Sequence, residues 1–315
     1  METITEEEIR ANNAQYLSYI DSLPGDGIVK GATARSSDYI RTRIQENGFF
    51  RNIIPADPIT DDMLTPQLLT EEPARLEFME GKSYGAKAVP FGTAPDTRTY
   101  RAEKFLVTFC VIMTPEFVKN TDLLRSYTRM DLRQVTTDNG LRDMETEEDT
   151  RLIATADRIV GSTSGVGLAG FQQNFLINGR IQRSTWKDLN NPLQDADLNN
   201  GVFLVNRRTM NELLGMPREE IGGDLAETLF TEGLKGLPRN EMFGVPYLAT
   251  IKRQVVPNNV VYHWAEVGYL GKAYELSKPT MYVEKKVDTL RFHARSKIGF
   301  TLANVAGVAR TEFSG

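Results

Sequence analysis

The apolar positions of this chain change rhythm several times, and each change marks an element. Thr5-Glu6-Glu7-Glu8 forms a capping box, and Ile9, Tyr16, Leu17 and Ile20 follow at near-helical spacing, so residues 5–22 are predicted to be a short amphipathic helix that ends at Pro24-Gly25. From Ala32 to about Pro73 the text is polar and broken by Pro55, Pro58, Pro66 and Pro73, with only Phe49-Phe50 and Ile53-Ile54 to bury. This reads as an extended arm with little core of its own. Such stretches are uncommon inside compact domains, so the arm is expected either to move freely or to lie on something else. Leu76 and Phe78, then Tyr100, Phe105, Val107, Phe109, Val111 and Met113, occupy β-prone runs on either side of EGKSYGAKAVPFGTAPDT. The prediction is a long hairpin with a small-residue tip. A two-stranded hairpin is marginal alone in water, so its partners are expected on another domain or another subunit.

Thr114-Pro115 breaks this strand, and Thr121-Asp122 offers a helix cap before Leu123, Leu124, Tyr127 and Met130. A longer helix follows, carried by Leu141, Met144, Leu152, Ile153, Ala156, Ile159 and Val160 at a 3.6-residue period. Glu145, Glu147, Glu148 and Asp149 lie in its first half, Arg151 and Arg158 toward its end, and Gly161 is a natural stop. At 1.5 Å per residue it spans about 30 Å, the length of a strut across a small domain. GSTSGVGLAG then reads as a glycine hinge. Beyond it, a mixed region to about Ala273 holds strands at 201–205, 245–251 and 260–264 and short helices at 208–214 and 225–229. The final segment, through Tyr282-Val283, Leu290, Phe292, Ala294, Phe300, Leu302 and Val305-Ala306, looks like long strands that return to the first domain and end in the second. The class is α+β.

Composition narrows the function. Hydrophobic residues are 40% and charged residues 25% of 315, ordinary globular usage that excludes collagen-like, disordered and disulfide-scaffold chains. A net charge of −5 is the opposite of a surface built to grip phosphate backbones throughout. The single Cys110 has no intramolecular disulfide partner, and His263 and His293 leave no Cys/His zinc cluster. The N-terminus lacks a basic n-region and an apolar h-region, and the richest apolar window, Phe105 to Met113, has strand length, so neither a secretory signal nor a membrane span is expected.

Candidate chemistry is sparse. Gly165-Val-Gly167-Leu-Ala-Gly170 matches a dinucleotide-binding pattern but follows a helix instead of a strand, and no Walker A lysine accompanies these glycines. A nucleotide-dependent enzyme using Gly165 to Gly170 is therefore the reading from another functional class. His263, in VVYHWAEV with Glu266 nearby, is a conceivable general base, against which stands a packed strand histidine; His293 reads as a strand residue. Cys110 inside an apolar strand reads as a small buried hydrophobe. Lys285, Lys286, Arg291, Arg295 and Lys297 form a basic cluster with one opposing Asp288; DNA phosphates are one conceivable contact, but on alternating strands such a cluster more often pairs with acidic groups on a neighbour, for which the acidic stretch of the long helix is the candidate.

The order of elements resembles the major capsid protein of tailed bacteriophages, the Hong Kong 97-like fold shared with encapsulins. The resemblance runs over nearly the whole chain. Its most specific text is YRAEKFLVTFCVIMTPEFVKNTDLLRSYTRMDLRQV, leading into the helix ending DRIVG, followed by GVFLVNRRTMNELL and MFGVPYLATIKRQV. It implies an N-terminal arm at 1–73, an extended E-loop hairpin at 74–104, a P-domain with its spine helix at 105–161 and an A-domain at 162–275. P-domain return strands at 276–300 and a C-terminal A-domain strand at 301–315 complete it. What it implies of function is a structural protein and no enzyme: copies assemble as pentamers and hexamers into an icosahedral virion capsid around double-stranded DNA. No cofactor or metal is implied. Implied partners are the chain itself, a portal protein, a separate scaffolding protein, decoration or cement proteins and DNA bound without sequence specificity, with assembly in the host cytoplasm and no membrane. The alternative is an encapsulin-like nanocompartment shell whose N-terminal helix lines the interior.

The candidate inter-subunit residues are Lys82, Tyr84, Lys87 and Phe91 in the hairpin tip, Phe49 and Phe50 in the arm, Lys285, Lys286 and Arg291 in the basic cluster, and Glu147 and Glu148 in the helix. The segment Glu284-Lys-Lys-Val-Asp288-Thr289 lacks the asparagine that some family members cross-link to a hairpin lysine, so no covalent chain-mail is expected. Only about 70 residues precede the hairpin, too few for the long scaffolding domain some members carry.

Overall fold

A computed structural model describes residues 5–65, 73–79, 88, 90–92, 103–126, 131–179, 185, 189, 191–212 and 241–314, apart from residues 24, 164, 195 and 243. The first half of the chain holds α1 (Glu6–Asp21), β1 (Gly27–Ile28), α2 (Lys30–Asn47), α3 (Phe50–Ile53), β2 (Ala56–Pro58), β3 (Ala74–Met79), β4 (Glu103–Met113), β5 (Phe117–Asn120), α4 (Thr121–Ser126) and α5 (Leu132–Val160). The second half holds β6 (Asn174–Ile177), α6 (Asn191–Gln194), β7 (Asn200–Asn206), α7 (Arg207–Met210), β8 (Glu241–Met242), β9 (Val245–Thr250), β10 (Val260–Ala265), β11 (Lys272–Lys286), β12 (Thr289–Thr301) and β13 (Val308–Phe313).

Two sheets result. The first runs β1-β11-β12-β4-β3, with β2 also on β11 and β5 also on β12; the second runs β6-β13-β10-β7-β9-β8. The chain leaves the second sheet after β10, makes the long β11–β12 hairpin in the first, and comes back as β13 between β6 and β10. Helix α5 ties the two together: its Met144, Leu152, Ile153, Ala156, Ile159 and Val160 share one buried cluster with Ile112, Met281, Phe292 and Ile298 of the first sheet and Leu204, Tyr262, Trp264 and Val308 of the second. Burying each of the larger aliphatic and aromatic side chains among them contributes about 1.5–3 kcal/mol.

The capping box at Thr5 forms as predicted, with the Glu8 amide donating to Thr5 Oγ1 and the Thr5 amide to the Glu8 carboxylate. The arm does not stay extended. Residues Lys30–Asn47 form α2, and its buried face is Ala32, Ser36, Ser37 and Ile40, too polar in text to register as an apolar stripe. Two hydroxyls of α2, those of Ser37 and Thr33, cap the open edge of β11. Ser37 Oγ accepts from the Met281 amide at 2.8 Å and Thr33 Oγ1 from the Val283 amide at 3.1 Å, satisfying donors that would otherwise be buried and unpaired. Phe49, Phe50, Ile53 and Ile54 then bury fully in the main core, so the arm has a core after all. The long helix also begins before the predicted Leu141. Its first turn is capped by Asn13 of α1, whose side-chain oxygen accepts from the Leu132 amide at 2.9 Å, and Gly140 lies toward Thr114, Phe117 and Met281. The predicted helix at 225–229 lies outside the described residues.

One turn is strained. Val287, between β11 and β12, has φ 52°, a left-handed conformation that a β-branched side chain occupies at a cost of about 1–3 kcal/mol.

At 29 residues, α5 extends for about 43 Å, and Ala154 lies on its exposed side well inside it. Ala154→Pro is expected to lower stability by about 3 kcal/mol or more, read as the urea midpoint together with helical circular dichroism. An unchanged midpoint would place residue 154 outside a helix.

Candidate functional site

The β3–β4 pair forms one end of the first sheet. Its register runs from Ala74 opposite Thr108 to Met79 opposite Glu103, the base of the predicted hairpin. One face is anchored. Val107 and Phe109 bury with Ile59 and Tyr274, the Tyr274 hydroxyl donates to Glu77 Oε1 at 2.5 Å, and the Arg75 guanidinium lies 4.4 Å above the Tyr274 ring while pairing with Glu77 at 2.6 Å. Partial burial and the Glu77 carboxylate push the Tyr274 hydroxyl up to about 12. The other face is open. Leu76 sits opposite Leu106, Phe78 opposite Lys104, and all three apolar side chains are exposed, Phe78 to 59%. Phe91 is fully exposed; Lys82, Tyr84 and Lys87 lie outside the described residues.

Strand β12 alternates strictly: Leu290, Phe292, Ala294, Ser296 and Ile298 are buried on the side covered by α5, so Arg291, His293, Arg295 and Lys297 emerge on the opposite face. Register places Val118 beside Arg291, Met113 beside Arg295 and Val111 beside Lys297, all three exposed. The result is a basic row edged with apolar side chains. Within one chain this cluster does not meet the acidic stretch of α5, because pleating sends the two to opposite faces, so a pairing of the two belongs between copies. Arg291 instead meets Glu116 at 3.4 Å, and the Lys285 ammonium donates to the Ile20 carbonyl near the end of α1 at 3.4 Å.

The acids of α5 are engaged elsewhere. Glu148 receives both Nε and Nη2 of Arg51 at 3.0 Å, and Arg51 Nη1 reaches Glu275 of β11 at 3.0 Å. Burial works against the Arg51 charge, but the two carboxylates outweigh it and leave its pKa above the ordinary value. Asp149 accepts from the Phe50 amide at 2.9 Å and from Lys252 Nζ at 2.6 Å; burial still pushes its carboxyl up. Glu147 is exposed and pairs only along the helix, with Arg151 at 2.7 Å. Phe49 and Phe50 are buried in the chain's own core, at 5% and 1%, and have almost no surface left for a neighbour. A cleft of about 830 Å³ opens between α2, α5 and the end of β9, lined by Tyr39, Phe49, Asp138, Arg142, Glu145 and Lys252. Among the described residues its lining contains no serine, cysteine or histidine. Arg51 and Lys252, which hold these carboxylates, went unnoticed in the sequence; the signal was one cation inside the apolar run FFRNII.

The remaining candidates are structural. His263 is completely buried on β10, its Nε2 2.9 Å from Thr311 Oγ1 and its ring edge-on to Phe203, and burial drives its pKa down to about 3. Cys110 is half-buried, its thiol donates to the Ile298 carbonyl at 3.4 Å, and burial pushes its pKa up, away from reactivity. The glycine run follows α5 and folds over Gln173, whose amide donates to the Val305 and Val308 carbonyls at 2.6 and 2.8 Å. A Cβ at Gly167 would stand 2.1 Å from Gln173 Oε1, so this glycine is needed for a close approach within the chain. The run forms surface turns tied back to the chain by backbone hydrogen bonds, among them the Leu168 amide to the Ile159 carbonyl at 2.8 Å and the Gly167 amide to the Phe171 carbonyl at 2.9 Å. Among the described residues no group of three or more His, Cys, Asp or Glu could hold a metal, and no helix is long and apolar enough to cross a membrane.

Glu148→Ala is expected to cost about 1–3 kcal/mol by removing the two hydrogen bonds of buried Arg51 to Glu148 and leaving it with Glu275 alone, whereas Glu147→Ala changes stability by less than about 0.5 kcal/mol; denaturant midpoints separate the two. His263 has a lowered folded pKa, so its contribution is whole above pH 6.5 and is lost as pH falls toward 3, because only the unfolded chain takes up the proton. The expected loss is about 1.4 kcal/mol per pH unit in that window, and His263→Gln should flatten that part of the stability–pH curve. A variant with the wild-type slope would show that the histidine titrates in the folded protein.

No family model matches this chain, and no curated protein matches it. Solved structures do. The capsid of the cyanophage P-SCSP1u superposes with a TM-score of 0.58 at 8% identity, covering 85% of this chain and 88% of that one. The mature capsid of bacteriophage PhiM1 gives 0.53 at 11%, over the same shares of the two chains. A virus-like particle from Pyrococcus furiosus gives 0.53 at 13%, covering 89% of this chain and 99% of that one. At these identities the likeness is one of fold: the mixed helix and sheet architecture of this chain is the Hong Kong 97-like capsid fold.

Proposed function

We propose that this chain is the repeating structural subunit of a closed protein shell, the capsid of a tailed bacteriophage. The observation that carries this reading is the open face of β3 and β4, where Leu76, Phe78 and Leu106 are exposed on a strand pair whose fold relatives are capsid subunits. Exposed apolar side chains on a two-stranded projection are costly in an isolated molecule and are stabilised when a symmetry mate covers them. Closure makes many such contacts simultaneous, so each can be modest.

In this reading the tip residues Lys82, Tyr84, Lys87 and Phe91 lie against neighbouring copies, arranged as pentamers and hexamers. Double-stranded DNA is enclosed without sequence recognition, which suits a net charge of −5 that holds no general attraction for phosphate. A portal, a separate scaffold and decoration proteins are the expected partners, assembly takes place in the host cytoplasm, and the role is structural instead of catalytic. A second reading, an encapsulin-like compartment, is favoured by the likeness to the Pyrococcus furiosus particle, which extends over nearly all of that chain.

Electron microscopy of the purified full chain, with an assay of nucleic acid in nuclease-treated native particles, tests both. Uniform closed particles containing protected DNA are expected. Closed particles consistently free of DNA and co-purifying with an enzyme would favour the compartment, and a chain that stays monomeric at high concentration would refute both.

A further inference from the structure

We propose that Asn178-Gly179 is a self-modifying site, at which the folded chain converts its own asparagine into aspartate or isoaspartate with the help of Ser314. The inference goes beyond the shell reading and does not depend on it. The chemistry requires only this chain and water. The Gly179 amide nitrogen bonds to Cγ of Asn178, the Cγ–Nδ2 bond breaks, and the proton of that nitrogen leaves with Nδ2 as ammonia, closing a succinimide ring. Water then opens the ring at either carbonyl. The net reaction is hydrolysis of a side-chain amide, with no change in oxidation state.

Asparagine before glycine is the pair in which this attack is least hindered, because glycine has no Cβ beside the attacking nitrogen. The chain has four such pairs, beginning at Asn47, Asn139, Asn178 and Asn200. The ring cannot close without rotating the backbone between the two residues, which a helix, a paired strand or a buried segment resists. The fold protects three of the pairs in this way. Gly48 is buried beside Phe49 and Phe50, and its carbonyl accepts from the Asn52 side chain at 2.8 Å. Gly140 lies inside α5. Gly201 lies in β7 with its backbone pressed on the end of β10, where a Cβ would stand 2.7 Å from the Ala265 carbonyl oxygen. Asn178-Gly179 differs from all of these. Both residues are exposed just beyond the end of β6, Gly179 has φ 100°, and a Cβ placed on it would meet nothing within 4 Å.

Ser314 supplies the rest of the site. Strand β13 runs parallel to β6, and the Ser314 amide extends that pairing by donating to the Ile177 carbonyl at 3.1 Å. This holds one hydroxyl against both groups that must react. Ser314 Oγ accepts from the Gly179 amide, the nucleophile, at 3.3 Å, and donates to Asn178 Oδ1, on the carbon under attack, at 3.4 Å. It is placed to take the proton from the nitrogen while passing its own to the oxygen that gains charge, a relay of the general acid–base kind. The product carries a carboxylate in place of a neutral amide, next to the end strand of the second sheet. Charge on an edge strand disfavours its pairing with another chain. Because the ammonia escapes, the change accumulates with the age of the folded molecule.

The purified full-length chain, incubated folded and in parallel in denaturant, tests this by peptide mass spectrometry with enzymatic methylation of isoaspartate. In the folded chain Asn178 should convert at least about tenfold faster than Asn47, Asn139 or Asn200. It should also convert faster than in the denatured chain, where the four pairs react alike. Ser314→Ala should slow conversion at Asn178 by about tenfold or more and leave the thermal midpoint unchanged, and Ser314→Thr, which keeps a hydroxyl, should restore most of the rate. An Asn178 that stays intact in the folded chain, a folded rate no higher than the denatured one, or a wild-type rate in Ser314→Ala would overturn the proposal. None of these outcomes bears on whether the chain forms closed particles, so the shell reading stands or falls separately.

Discussion

The clamp formed by Glu148 and Asp149 is the interaction on which the rest of the structure depends. Two neighbouring carboxylates on α5 take hold of different parts of the chain: Glu148 grips Arg51 of α3, which also reaches Glu275 of β11, and Asp149 binds the Phe50 amide and Lys252 beyond β9. One turn of helix therefore holds the arm, the first sheet and a loop of the second sheet in fixed relation. Buried ion pairs contribute little net stability compared with apolar replacements, but leaving one partner alone is severely destabilising. The clamp therefore acts less as a source of stability than as a constraint on geometry, while the apolar stripe of α5 provides the burial.

With the body fixed in this way, what remains exposed follows from pleating. The first sheet has one face under α5 and α2; its other face carries the basic row of β12, and its far end, at β3 and β4, projects with Leu76, Phe78 and Leu106 uncovered. Tyr274, Glu77 and Arg75 set the direction of that projection by locking its other side. Structure thus leads to function through what is left incomplete. A chain whose sheets, helix and arm are mutually satisfied, but whose strand pair leaves Leu76, Phe78 and Leu106 uncovered, is suited to be one of many identical units.

Much of this was legible in the sequence where a local rule acted alone. Thr5 and Glu8 marked the first helix, the apolar run from Val202 to Val205 marked β7, and the stepped apolar positions from Met144 to Val160 marked the strut. The arm was not legible, because α2 faces β11 with Ser37 and Thr33, whose hydroxyls satisfy strand amides that no pattern along the chain discloses. The long-range partners of Arg51 and Lys252 were equally hidden, being set by tertiary approach. The facing of Arg291, Arg295 and Lys297 was recoverable: they alternate with Leu290, Phe292, Ala294 and Ile298, and that parity already placed them away from the helix. Val287-Asp288 could also have been marked as a two-residue turn without its usual glycine.

The central claim is that the body of this molecule is complete in one chain and that its projecting strands are completed only by others. Amide hydrogen exchange of the dilute chain, compared with that of assembled particles, tests it most directly. The account predicts that amides of Ala74–Met79 and of Glu103 to Leu106 exchange readily in the dilute chain and gain about a hundredfold protection on assembly, while those of Met144 to Val160 are strongly protected in both. Equal, strong protection of the strand pair in the dilute chain would contradict it.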